Sequence, residues 1–137
     1  MTTTIELNGF VVRGQRLASM WMAADPGLFQ TALGRHIHAG TINVRFETSQ
    51  HERLAKPIIS GQECMNPSYL RGMQKLLVVD CTLEREPAYI VGERTVGGET
   101  VTLEVIGDHI KSIAYDQPVT LLLDPAATPR SLWLPRR

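Results

Sequence analysis

The chain has 137 residues, 43% of them apolar, with 14 basic and 14 acidic side chains and a formal charge of zero. That length makes one domain, which buries roughly two-thirds of its unfolded surface and needs no disulfide or metal staple. The balanced charge lacks the basic footprint of a duplex nucleic-acid binder and the polybasic signature of a membrane-surface protein, so neither nucleic acid nor membrane is an expected partner.

Cys64 and Cys81 stand in no CxxC or other metal-ligand spacing and read as buried free thiols rather than as a disulfide. Met1 to Glu6 carries no basic, apolar leader pattern. The longest apolar runs, Leu76 to Val79 and Leu121 to Leu123, fall far short of the roughly 20 residues that cross a bilayer. A cytoplasmic location is the default expectation.

In chain order, Ile5 to Val12 alternates loosely and reads as a strand that ends at Arg13-Gly14. Leu17 to Met22 reads as a second short strand. Asp25-Pro26 then has the form of a cap followed by a first-turn proline, and Leu28, Phe29, Ala32 and Leu33 share one helical face. Gly34 is the expected terminator of that helix. Thr41 to Phe46 alternates strictly, with Ile42, Val44 and Phe46 on one face and Thr41, Asn43 and Arg45 on the other.

Ser49 to Arg71, with Pro57, Gly61 and Pro67, has no clean period and reads as loop with short pieces of structure. Gln74 to Leu83, Ala88 to Val91, Thr100 to Val105 and Val119 to Leu123 read as strands, and Asp108 to Ala114 as a short helix. The tail from Asp124 holds Pro125, Pro129 and Pro135 and reads as extended and partly disordered, anchored by Trp133. The division expected is a domain over 1–124 and a Pro-rich tail over 125–137. About six strands and little helix favour a mainly β barrel over a doubly wound sheet.

The densest chemistry lies in Gly40-Thr41-Ile42-Asn43. Two positions apart on a strand put the Thr41 hydroxyl and the Asn43 carboxamide on one face, about 7 Å apart at Cα. Both offer neutral oxygens, and magnesium takes one or two protein oxygens beside substrate phosphates. Gly40 allows close approach to the backbone. On chemistry alone, however, Thr-x-Asn reads as a solvated strand face. His36 and His38 are two metal-capable residues without a third and read as polar lining beside Gly40. Asp108-His109 reads as a solvated turn, Glu99 and Glu104 as surface positions, and Trp21 with Met20 and Met22 as packing residues.

The run from Phe29 through Leu33-Gly34 to Gly40-Thr-Ile-Asn-Val-Arg45 resembles the CTP-dependent riboflavin kinases of archaea. These have a helix, a leucine-glycine pair and then a Gly-Thr-Leu-Asn-hydrophobic strand. Ala88 to Val91, Glu93-Arg-Thr95, Glu99 to Glu104, Ile106 to Lys111 and Val119 to Leu122 follow the family's second half in order. The likeness covers roughly Asn8 to Asp124, with a poorly matched middle.

The resemblance implies a six-stranded cradle-loop barrel of the swapped-hairpin type with one or two short helices. It implies an Mg2+-dependent transfer of the terminal phosphoryl group of a nucleoside triphosphate, CTP in the family, to the 5′-hydroxyl of riboflavin. The products are FMN and CDP. Thr41 and Asn43 would hold the metal, while Gly14, Arg16, Gly40 and Lys111 would meet the nucleotide. Thr95 matches the family's flavin-binding threonine. The family's glutamate falls on Thr100 without a gap or on Glu99 with a one-residue shift. Glu99 is preferred, because a carboxylate accepts hydrogen bonds from the flavin and can orient or deprotonate the hydroxyl.

One departure stands out. Where the family has a glycine-rich loop, this chain reads Val12-Arg13-Gly14-Gln15-Arg16. Arginine forks would there replace amides in holding phosphate. The alternative reading is a non-catalytic flavin- or nucleotide-binding module on the same barrel. A monomer or small homo-oligomer is expected in either case.

Overall fold

A computed structural model describes residues 4–12, 30–31, 33–38, 41–47, 68–70, 73–96, 100–124 and 130–135. The strands are β1 (Ile5–Val12), β2 (Ile42–Glu47), β3 (Ser68–Leu70), β4 (Met73–Leu83), β5 (Glu86–Val96), β6 (Thr100–Gly107), β7 (Pro118–Leu123) and β8 (Arg130–Pro135). A single 3-10 turn, His109–Ser112, follows β6.

Six strands close a barrel. β4, β5, β6, β2, β1 and β7 pair antiparallel in that order, and β7 returns to β4 through Thr82↔Leu122 and Leu83↔Leu121. Closure removes the free edges that an open sheet of these strands would present. The first half of β4 projects beyond the closed part. There β8 pairs with Met73 to Val78 and β3 with Met73 to Lys75.

Alternation fills the barrel. Leu7 and Val11 of β1, Ile42, Val44 and Phe46 of β2, Val101, Leu103 and Val105 of β6, and Val119, Leu121 and Leu123 of β7 form one core with Val79, Leu83, Ala88 and Ile90. The inward face read for β2 is the one observed. Gly9 is required where β1 crosses β2. A Cβ there would lie inside contact distance of the Arg45 carbonyl oxygen and 2.8 Å from Phe46 Cδ1.

The β4–β5 hairpin turns on Glu84 and Arg85, whose φ values of 51° and 69° are both positive, as a two-residue type I′ turn requires. Glu84 also accepts a hydrogen bond from the Thr120 amide, tying the turn to β7. The helix expected before Gly34 is described only in its last turn. Gly34 (φ 68°) and Arg35 both donate backbone N–H bonds to Gln30, the double closure of a helix ended by a left-handed glycine.

Several elements differ from expectation. The short helix read over Asp108 to Ala114 is the 3-10 turn, with Ile110 in the core. β5 begins earlier and runs longer than Ala88 to Val91. The tail is not merely extended: six of its residues form β8, whose backbone pairs with β4. The strand expected at Leu17 to Met22 lies outside the described residues. Among the described residues no helix is long and apolar enough to cross a membrane.

Candidate functional site

β6 is buried along almost its whole length, whereas a strand on a solvated barrel wall would alternate. Val101, Leu103 and Val105 face the core. Thr102 and Glu104 occupy the opposite, outer face and are nonetheless 4% and 7% exposed. β2 behaves in the same way, because Asn43 pairs with Glu104, and Arg45 with Thr102. Thr41, just before β2, is 3% exposed and Asn43 is 5% exposed. This corrects the bland reading of both motifs: Thr-x-Asn is not a solvated face, and Glu104 is not a surface residue.

The arrangement is a buried polar patch on the outside of the barrel. Thr41 Oγ1 donates to Glu104 Oε1 at 2.9 Å across 63 residues of sequence. One row further along, Arg45 Nε donates to Thr102 Oγ1 at 3.5 Å. Asn43 stands between these rows, and its Nδ2 is buried without a hydrogen-bond partner. Buried polar groups are nearly always bonded, so this donor is an exception within a patch of hydroxyl, carboxylate and guanidinium groups.

Past Gly107 the chain is pinned to the segment before the motif. The His38 amide donates to the Gly107 carbonyl at 3.1 Å. His36 Nδ1 is hydrogen-bonded to the Asp108 carboxylate, and both side chains are well exposed. Asp108 therefore pairs with His36 and not with its neighbour His109, whose two ring nitrogens are buried without partners. Gln30 Nε2 reaches the Ile37 carbonyl at 3.4 Å, joining the end of the helix to the same segment. These contacts fix the chain that leads into Thr41.

Of the residues expected in a site, Thr41 and Asn43 come together in this patch. Thr95 lies on β5 at the register position of Val101, three positions along β6 from Glu104, or about 10 Å of strand. Lys111 lies in the 3-10 turn after β6. Arg13, Gly14, Arg16, Trp21, Gly40, Cys64 and Glu99 lie outside the described residues. Glu104 was read as a surface position and Arg45 only as a polar-face residue of its strand, and Thr102 was not singled out. Their one signal was the alternation Thr100, Thr102, Glu104, which places three polar residues on one face of a strand.

The donor set suits a hard cation. Hydroxyl, carboxamide and carboxylate oxygens are the ligand types that magnesium takes, and the patch offers all three. Among the described residues no group of three or more His, Cys, Asp or Glu side chains gathers at metal-ligand spacing. A magnesium held partly by substrate phosphates does not need such a cage.

Cys81, among the described residues, is a free thiol, half-buried and packed against the core rather than fully buried as expected. Burial, aided by the Asp80 carboxylate beside it, pushes the thiol up to about 12 from 9.0, so it is protonated at neutral pH and is a poor nucleophile. Compared with protein-family models and with curated protein sequences, the chain matches none.

Proposed function

We propose that this chain is a riboflavin kinase of the CTP-dependent type, in which the outer patch of β2 and β6 binds the magnesium-nucleotide. The observation that carries the reading is the burial of Thr41 and Asn43 at the point where the resemblance calls for metal ligands. One is bonded to a buried carboxylate; the other keeps a donor without a partner. A closed six-stranded barrel is also the architecture that the resemblance implies.

In the reaction, the 5′-hydroxyl oxygen of riboflavin bonds to the γ-phosphorus as the bridging P–O bond to the leaving diphosphate breaks, and the hydroxyl proton is lost. Such transfers depend on positioning and charge neutralisation more than on reactive side chains. Thr41 and Asn43 would hold magnesium, which when bound offsets the charge of the transferring phosphates. Arg16 and Lys111 would take up the rest of that charge. Thr95 and Glu99, on either side of the Gly97-Gly98 pair in sequence, would hold the flavin, and Glu99 would accept the hydroxyl proton. Arg45, two positions after Asn43, adds a cation to the same face.

The test is incubation of the full chain with riboflavin, magnesium and each of CTP, ATP, GTP and UTP, with FMN followed by chromatography. FMN appearing with at least one donor supports the kinase. Tight flavin or nucleotide binding without FMN would instead indicate the non-catalytic module.

A further inference from the structure

His36 and His38 lie on a short segment that belongs to no helix or strand. Ile37 between them is buried, whereas His36 is exposed and His38 half-buried. That alternation turns both imidazoles to the solvent side of an extended piece of chain, about 7 Å apart at Cα. The segment is held in place on its other side. The His38 amide donates to the Gly107 carbonyl at 3.1 Å, and Gln30 Nε2 reaches the Ile37 carbonyl at 3.4 Å.

Asp108 supplies the second observation. Its carboxylate is hydrogen-bonded to His36 Nδ1 across the gap between the two segments, and both side chains are well exposed. A carboxylate only accepts, so Nδ1 carries the proton and Nε2 of the neutral ring keeps its lone pair. A carboxylate behind one nitrogen, with the other nitrogen open, is the arrangement that orients metal-binding histidines and raises their basicity. As a device for stability the pair counts for little, because exposed charged pairs add little.

We propose that His36 and His38 form a surface site for a zinc-type divalent ion, oriented by Asp108 and separate from the magnesium-nucleotide patch. Imidazole nitrogen suits zinc, copper and nickel, whereas magnesium prefers oxygen. Among the described residues no third His, Cys, Asp or Glu side chain completes a cluster. The ion is therefore held by two imidazoles, and water fills its remaining positions. The pinned backbone and the fixed His36 tautomer offset the small number of ligands, since little order is lost on binding. Asp108 is a positioning residue, touching His36 and not the ion. The site stands whether or not the chain is a kinase.

The probe is zinc alone, titrated calorimetrically into the untagged full-length chain without nucleotide, with the imidazole nitrogens followed by NMR. The wild type should take up zinc saturably. His36 Nε2 and a ring nitrogen of His38 should shift, while His36 Nδ1 keeps its proton. His36→Ala and His38→Ala should each abolish saturable uptake at an unchanged circular dichroism spectrum. Asp108→Asn keeps an acceptor for Nδ1 but removes the carboxylate charge, and should weaken zinc binding about 10- to 100-fold. His51→Gln should bind zinc as the wild type does.

If the half-buried His38 does not tolerate replacement, the nitrogen shifts of the wild type identify the ligands without any substitution. The proposal is overturned if the wild type takes up no zinc, or if zinc leaves both imidazoles unshifted. It is equally overturned if His36→Ala or Asp108→Asn, both changes of exposed side chains, binds zinc as well as the wild type does.

Discussion

Thr41 and Asn43 sit two residues apart on one face, equally buried, yet the structure gives their removal opposite effects on stability. Thr41→Val is close to isosteric and deletes only the hydroxyl that donates to Glu104 at 2.9 Å. Hydrogen bonds to charged acceptors contribute about 1.5–3 kcal/mol. The expected loss is about 2 kcal/mol, or roughly 6 °C in melting temperature for a chain of this length. Asn43→Leu keeps the outline of the side chain but removes a buried donor that has no partner. An unmet buried polar group costs about 1–3 kcal/mol, so this change should be neutral or stabilising by about 1 kcal/mol. Both variants should lose magnesium-nucleotide binding. The assay is urea unfolding in the absence of ligands, with Thr41→Ser as the control that keeps the hydroxyl. Changes within about 0.5 kcal/mol for both, the range of surface substitutions, would mean that the two residues are solvated, and would refute the buried patch.

Other predictions concern the barrel, the thiol and the loop. Gly9→Ala should destabilise by about 3 kcal/mol, the upper end of overpacking, because its Cβ would meet the Arg45 carbonyl and Phe46; a wild-type unfolding midpoint would contradict the β1–β2 crossing. Cys81 should resist iodoacetamide in the native state at pH 8 and react once the protein is unfolded, and rapid native labelling would contradict its raised pKa. Because its pKa is raised by folding, its contribution to stability is complete below about pH 9.0 and is lost as pH climbs toward 12, which a urea series across that range would register. Arg13→Gln with Arg16→Gln should lower triphosphate affinity severalfold and flatten its salt dependence; affinity insensitive to the double change would remove that loop from the phosphate site.

What the sequence disclosed and what it withheld have separate physical causes. Strand β2 was legible because Thr41 to Phe46 alternates without a break, and Gly34 because a helix ending before a short connection favours a left-handed glycine. The β4–β5 hairpin was not legible as a two-residue turn. Its positive-φ positions are held by Glu84 and Arg85 rather than by the glycine or asparagine that usually signals one. Strand β8 was hidden by the prolines of the tail, yet Pro125 and Pro129 precede it and Pro135 stands at its last position, where a missing amide is tolerated.

In the candidate site, the Thr41–Asn43 pair was visible in the motif but its burial was not. Alternation tells which residues share a face, and says nothing about whether that face is covered. Glu104 was read as a surface residue for a related reason. Its importance comes from the β2–β6 register, a pairing between segments some 60 residues apart that no local pattern encodes.

The most direct measurement of the central claim is calorimetric titration of magnesium-CTP into the wild-type chain and into Thr41→Ala and Asn43→Ala. The account predicts saturable binding by the wild type, and much weaker binding by both variants while each remains folded by circular dichroism. Unchanged affinity in both folded variants would contradict it, because the patch on β2 and β6 would then not be where the nucleotide binds.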